Sequence, residues 1–167
     1  MKCKIRNTII FITMFSLLYT TLPVSAATYV LDDGIFTFRN VNSQINMDAN
    51  LPIYEGHDSN ITQEIINGNL NQQWKLEYAG DGYYYIRSAY NENLVMDVYY
   101  GGITNGTNII LADYHGGDNQ KFEVIDNCDF TVQIRPLIAS DKCVEVYEAS
   151  TSTGANIVIW DYNGGLN

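Results

Sequence analysis

Asn108-Ile109-Ile110-Leu111-Ala112-Asp113-Tyr114-His115-Gly116-Gly117 returns as Asn156-Ile157-Val158-Ile159-Trp160-Asp161-Tyr162-Asn163-Gly164-Gly165, 48 positions later. The same interval of 48 separates Asn71-Gln72-Gln73-Trp74 from Asn119-Gln120-Lys121-Phe122. It also separates Arg39 from Arg87 and Arg87 from Arg135. Each of these arginines ends a short run rich in apolar and aromatic residues: Ile35-Phe36-Thr37-Phe38, Tyr83-Tyr84-Tyr85-Ile86 and Thr131-Val132-Gln133-Ile134. Such runs read as strands. Further along each unit, Asn46-Met47-Asp48, Val95-Met96-Asp97 and Val144-Glu145-Val146 set an acid inside an apolar run. A unit repeated at a fixed interval marks a fold whose pieces cannot bury their apolar faces alone and must share one core.

The spacing predicts three units, at about 34–80, 81–128 and 129–167, each built from four short strands joined by Gly- and Asn-rich turns. With no helical periodicity, the economical solution is an all-β, threefold closed barrel, because closure removes the sheet edges. The composition agrees: 13 Tyr and 13 Gly stand in a chain with only 17% charged residues, and aromatics favour strands while Gly punctuates them. A β-propeller also uses four strands per repeat, and Trp160-Asp161 supplies its Trp-Asp dipeptide. That dipeptide occurs once, however, and three blades are too few for a propeller.

Residues 1–26 read as a secretory signal peptide. Lys2, Lys4 and Arg6 form a positive head, Thr8–Leu22 is uncharged and largely apolar, and Val24-Ser25-Ala26 offers small residues for cleavage after Ala26 or Ala27. The apolar stretch is short for a membrane span, which needs about 18–20 residues. The expected location is therefore extracellular, with no membrane span in the mature form. The whole chain carries 19 acids and 9 bases. Three of those bases and none of the acids lie in the leader, so the mature part is strongly acidic. That balance disfavours nucleic acid and anionic lipid as partners. Cys128 and Cys143 remain outside the leader. In an oxidising compartment they either pair or stay as two separate thiols, and sequence does not choose between these.

An acid in the second strand, an aromatic-Asp-x-x-Gly-Gly turn, and then Asn-Gln-x-Trp/Phe resemble the ricin B-type lectins, which are β-trefoils. The likeness covers nearly all of residues 28–167. It implies a carbohydrate-binding module with up to three sugar pockets, one per repeat, galactose-type sugars being the common ligands. In each pocket the strand-two acid would accept hydrogen bonds from sugar hydroxyls, a strand-three aromatic would stack on the sugar ring, and the Asn of Asn-Gln-x-Trp would complete the hydroxyl contacts. The chemistry is sound on its own terms. A carboxylate offers only acceptors, an amide both gives and takes, and an aromatic face covers C–H groups. Neither a metal nor a cofactor is called for.

Carried over by position, the middle repeat contributes Asp97, His115, Asn119 and Gln120. Ile110 and Ala112 occupy its strand-three slot, and Tyr99, two residues past Asp97 and on the same strand face, would supply the missing ring. The third repeat contributes Glu145, Trp160, Asn163 and Asn167, with an acid one methylene longer than usual. The first keeps Asp48, Asn71 and Gln72 but shows no ring in Ile61-Thr62-Gln63-Glu64. Each residue also has a structural reading. Asp48 and Asp97 can satisfy turn amides, Asn71 and Asn119 can fix their turns, Trp74 and Phe122 belong in a core, and the three recurrent arginines suit a structural role. His57 reads as a loop residue.

No nucleophile elbow, zinc-binding helix or phosphate loop is present. Acids at the same place in every repeat point to repeated binding rather than one catalytic pair. Two other readings stay open: the lectin part of a larger secreted glycoside hydrolase or toxin, and a trefoil whose sugar sites have decayed and which acts through protein contacts. Asn60-Ile61-Thr62 and Asn105-Gly106-Thr107 match glycosylation acceptors, expected to be unused behind a leader of bacterial appearance. Finally, the interval of 48 carries Asn119 to Asn167, the last residue. The fourth strand of the third repeat is thus expected to be missing, leaving eleven strands and an opening in the barrel.

Overall fold

The computed structural model describes residues 34–50 and 58–164. The leader, His57 and Asn167 lie outside them. Among the described residues there is no α-helix and no helix long and apolar enough to cross a membrane. The first repeat holds β1 (Gly34–Phe36), β2 (Asn46–Asp48), β3 (Ser59–Asn60), β4 (Thr62–Glu64) and β5 (Trp74–Gly80). The second holds β6 (Tyr83–Ser88), β7 (Leu94–Val98), β8 (Thr107–Asp113) and β9 (Phe122–Asp126). The third holds β10 (Val132–Pro136), β11 (Lys142–Val146) and β12 (Ile157–Asp161). Short 3-10 turns follow several strands, among them Leu70–Gln72, Tyr99–Gly101, Asp118–Gln120 and Tyr147–Ala149.

These twelve segments form eleven arms, because β3 and β4 are two halves of one. The break is at Ile61, where the arm changes partners: Ser59 and Asn60 pair with β8, whereas Thr62–Glu64 pair with β2. Between them the Ile61 N–H donates to the Ile109 carbonyl (3.0 Å), and the Ile61 carbonyl accepts from the Ile157 N–H (2.9 Å). Ile61, Ile109 and Ile157 are one position of the repeat seen three times, and each is at most 4% exposed. One residue earlier, Asn108 Nδ2 donates to Asn60 Oδ1 and Asn60 Nδ2 to Asn156 Oδ1, both at 3.4 Å. A layer of isoleucines and a layer of asparagines therefore mark the pseudo-threefold axis where the three repeats meet.

The first and last strands of the repeats curl into a half-barrel, β1-β5-β6-β9-β10, antiparallel throughout. Trp74, Leu76, Tyr84, Ile86 and Phe122 from these strands pack on Met47, Met96, Leu111 and Ile159 in one core. Trp74 and Phe122 are wholly enclosed, and the Trp74 indole N–H donates to the Met47 carbonyl at 3.3 Å. Among the described residues the half-barrel does not close. The position between β10 and β1 corresponds to residue 167 and beyond, so the expectation about a twelfth arm falls outside the described residues.

Cys128 is exposed and Cys143 is buried, and both are free thiols. The three isoleucines on the axis tie all repeats together, so truncating one leaves a void that no single repeat can relax to fill. Ile109→Ala is expected to cost about 2–5 kcal/mol in urea unfolding, with unfolding remaining a single transition.

Candidate functional site

The middle repeat builds its site from Asp97 outward. Asp97 sits on β7 opposite Ile110 of β8 and is only 3% exposed. Three side chains converge on its carboxylate. Asn119 Nδ2 donates to Oδ1 at 2.7 Å, Gln120 Nε2 donates to Oδ2 at 2.9 Å, and His115 Nε2 lies 3.3 Å from Oδ2. The Gly117 N–H donates to His115 Nδ1 at 3.1 Å, which places the proton of the neutral ring on Nε2, facing Asp97. Oδ1, with one partner, keeps room for a second donor.

Gln120 differs from the role that the resemblance implied. It is fully enclosed, and its amide is committed to four partners. Nε2 donates to Asp97 Oδ2 and to the Asp113 carbonyl (2.9 Å each), while Oε1 accepts from the N–H groups of His115 (2.9 Å) and Gly116 (3.0 Å). It staples the Tyr114–Gly117 turn to the acid and so positions the site instead of lining it. Gln72 repeats the arrangement in the first unit, donating to Asp48 Oδ2 (3.0 Å) and the Ile65 carbonyl (2.9 Å) and accepting from the Asn67 N–H (3.1 Å).

The rim is aromatic. Sequence alternation put Tyr99 on the strand face of Asp97, but β7 ends at Val98. Tyr99 starts a tight turn in which Tyr100 has φ 50° and Gly101 φ 63°, so strand alternation stops there. The turn still packs beside the Asp118–Gln120 turn, and the Tyr99 and Tyr100 rings meet at 4.4 Å between centroids. Tyr100, which sequence reasoning passed over, is 89% exposed. Gly117 leaves the space that His115 and Asn119 use: a Cβ there would come within 2.5 Å of His115 Cε1 and 2.6 Å of Asn119 Oδ1.

In the first repeat Asp48 is 2% exposed. It receives Asn71 Nδ2 (2.7 Å) and Gln72 Nε2 (3.0 Å) on Oδ2, and the Asn50 N–H (2.7 Å) on Oδ1. Its oxygens are thus held much as those of Asp97 are, but the strand-three slot holds Glu64 and no ring. Gln63 is also buried and reaches across to the third repeat, donating to the Ser150 and Ser152 carbonyls at 2.8 Å each.

The third repeat separates its candidates. Glu145 lies on β11 opposite Val158 and is half-buried, and burial pushes its carboxyl above the usual range. Trp160, opposite Cys143, lies over Gly106 and 6.3 Å from the Tyr147 ring. Tyr147 is the residue that sequence reasoning missed. It stands 48 positions after Tyr99, and the next residue, Glu148, has φ 54° just as Tyr100 has 50°. Applying the interval of 48 to Tyr99 finds it. Asn163 is exposed. Beside Trp160, the nearly buried Lys142 ammonium is held by Asp161 Oδ1 (2.5 Å) and Asn105 Oδ1 (2.9 Å), and Asn105 Nδ2 donates to Asp161 Oδ2 (2.8 Å). The amide of that glycosylation acceptor is therefore engaged.

The recurrent arginines hold strands and turns. Arg87 pairs with both oxygens of Glu77 (2.6 and 3.1 Å) and lies 4.3 Å from the Tyr114 ring centroid. Arg135 is 5.1 Å from the Tyr162 ring, and Arg39 Nε donates to the Gln44 carbonyl at 3.0 Å.

Burial lifts the Asp97 carboxyl above the ordinary carboxylate range, against the hydrogen bonds from Gln120 and Asn119 and the attraction of His115. A raised folded-state pKa means the fold favours the protonated acid. The stability from this group is thus fully present below the ordinary range and is lost as pH rises to the raised value. Asp97→Asn is expected to flatten that part of the stability–pH profile in urea unfolding. Gln120→Ala, which strands a buried carboxylate and two N–H groups, is expected to cost about 1–3 kcal/mol at neutral pH. Gln73→Ala, a change at a partly exposed neighbour of the equivalent motif, should stay within about 0.5 kcal/mol of the parent.

Comparison with known proteins agrees with this geometry. The family model for the ricin-type beta-trefoil lectin domain-like proteins matches residues 25–112. A stretch of 56 residues, 32% of this chain, is 36% identical to the main hemagglutinin component type C of Clostridium botulinum C phage. That stretch spans only 20% of the hemagglutinin component. Among solved structures, the designed threefold-symmetric protein ThreeFoil superposes with a TM-score of 0.75 at 32% identity, over 81% of this chain and 94% of ThreeFoil. An exo-beta-1,3-galactanase from Clostridium thermocellum gives a TM-score of 0.74 at 28% identity, over 83% of this chain but 30% of the enzyme. Repeat, axis and family match converge: the chain belongs to the ricin-type β-trefoil lectin domain-like family.

Proposed function

We propose that the chain is an exported carbohydrate-binding module that takes galactose-type sugars in a shallow site on the middle repeat. The observation that carries this reading is the Asp97 carboxylate, held by Asn119 and Gln120, with acceptor capacity left on Oδ1 and with His115 and the Tyr99–Tyr100 pair at its rim. A sugar offers hydroxyl donors on its edge and C–H groups on one ring face, and this combination answers both. The third repeat is the second site in this reading, with Trp160 and Tyr147 as rings and Glu145, Asn163 and Asn167 as polar partners. Asp48 and Asn71 in the first repeat are given a structural role, since Leu51 and Glu64 stand where the other repeats carry Tyr99 and Trp160. The galactose assignment draws on the likeness to the exo-beta-1,3-galactanase. Export draws on the charged head and apolar stretch of residues 1–26.

A site this shallow is expected to bind a single sugar with a Kd of about 0.1–1 mM, raised in avidity when several sites engage one glycan. A second reading makes the chain the binding part of a larger secreted glycoside hydrolase or toxin. It rests on the chain spanning 30% of the galactanase that it resembles. Intact mass of the natural product from the culture medium decides between them. The same measurement tests export, for which the expected first residue is Ala27 or Thr28.

The binding claim is tested by a glycan array with titration of galactosides. Gly117→Ala is the diagnostic variant, because the backbone there (φ −68°) suits any residue while the new methyl displaces His115 and Asn119. Galactoside binding at this site is expected to fall about ten-fold or more, with a stability loss of about 1–3 kcal/mol for the displaced donor to Asp97 that leaves the protein folded. Wild-type protein that binds no sugar up to about 50 mM, or a Gly117→Ala protein that binds undiminished, would sink the reading.

A further inference from the structure

The chain contains three Asn-Gly pairs: Asn67-Gly68, Asn105-Gly106 and Asn163-Gly164. An Asn followed by Gly is chemically poised, because without a Cβ the Gly backbone can turn its nitrogen toward the carboxamide carbon of the Asn. The fold sets the first two pairs in opposite circumstances.

Asn105-Gly106, in the loop between β7 and β8, is held at each atom that would have to move. Asn105 Oδ1 accepts from Lys142 Nζ (2.9 Å) and from the Asp161 N–H (3.1 Å), and Nδ2 donates to Asp161 Oδ2 (2.8 Å). The Gly106 N–H donates to the Ile159 carbonyl (2.9 Å), and the Trp160 ring lies over Gly106. Reaction there requires several of these bonds to break together.

Asn67-Gly68, in the turn between β4 and β5, is exposed. Asn67 Oδ1 accepts from the Asn69 N–H at 2.8 Å. Such an Asx turn curls the carboxamide back over the Gly68 peptide and polarises its C=O. Among the described residues, neither the Gly68 N–H nor Asn67 Nδ2 has a hydrogen-bond partner. Gly68 has φ 72° and open space on the side where a Cβ would stand. In the middle repeat His115 and Gly116 fill the same two positions, with φ 73° at the Gly. That turn bends alike at its Gly but has no carboxamide to react.

We propose that Asn67 is a site of self-modification, converted by water through a cyclic imide to aspartate and β-linked isoaspartate. The Gly68 nitrogen gives its proton to hydroxide and bonds to Asn67 Cγ. Nδ2 leaves as ammonia. Water then opens the ring at one of its two carbonyls. One opening restores an ordinary main chain with Asp at 67, and the other routes the main chain through the side chain. The rerouted link is one methylene longer, at the place where the Asn67 N–H donates to Gln72 Oε1 (3.1 Å). Gln72 in turn holds Asp48 Oδ2 (3.0 Å). The reaction therefore loosens the first-repeat staple and adds a negative charge to its turn, while the middle-repeat site keeps His115. None of this depends on sugar binding.

The test is peptide mapping by mass spectrometry of the full mature chain, folded and in concentrated urea, over days in mildly alkaline buffer. In the folded protein Asn67 is expected to convert, with isoaspartate among the products, and Asn105 to convert about ten-fold or more slowly. In urea the two are expected to convert at like rates, because the sequence around the reacting atoms is the same. The Tm of the incubated wild type is expected to fall, and that of Asn67→His, which places the middle-repeat residue in the same turn, to hold. The proposal is overturned if Asn67 and Asn105 convert equally fast in the folded protein, if folding slows Asn67 as much as Asn105, or if Asn67→His loses Tm as the wild type does.

Discussion

Each of the first two repeats depends on a buried carboxylate meeting an Asn-Gln pair. Asp48 receives Asn71 and Gln72, and Asp97 receives Asn119 and Gln120. A carboxylate this deep is costly unless donors surround it, and removing one donor leaves the remainder of that cost uncompensated. The pairing therefore fastens the second strand of a repeat to the turn that opens its fourth. That attachment delivers Trp74 or Phe122 into the core two residues after the Gln. The polar network and the aromatic core are thus parts of one device.

The same device explains why the middle repeat is the best candidate for binding. The Gln amide is consumed internally, bridging the acid to the Asp113 carbonyl and to the N–H groups of His115 and Gly116. What remains toward solvent is a pre-oriented Asn, an acceptor site on Asp97 and the imidazole edge. Such a site needs no rearrangement to receive hydroxyl donors. In the first repeat the Asp48 carboxylate is held in a similar way, by Asn71, Gln72 and the Asn50 N–H, but Leu51, Glu64 and Asn67 stand where other repeats have Tyr99, Trp160 and His115.

The threefold axis works by a different principle. Ile61, Ile109 and Ile157 share a layer because each arm reaches the axis at the same position of the repeat, and main-chain hydrogen bonds pass from one to the next. Asn60, Asn108 and Asn156 make a second layer with their amides. The partner change at Ile61 is the local consequence. The first-repeat arm serves β8 before the axis and β2 after it, so it is recorded as two strands.

The 48-residue interval, the strand runs, the core aromatics and the strand-two acids were all legible in the sequence. Each is a matter of residue type at a fixed spacing, and period-two alternation is a local property of the chain. Tertiary structure alone decided how those residues divide the work. Tyr99 leaves the face of Asp97 because Tyr100 and Gly101 turn the backbone into positive φ. Gln120 becomes a staple because backbone groups of the Asp113–Gly116 turn surround it. Cys128 and Cys143 stay apart, one exposed and one buried. These outcomes depend on contacts between residues far apart in the chain, and spacing along it does not encode which atoms are left facing water.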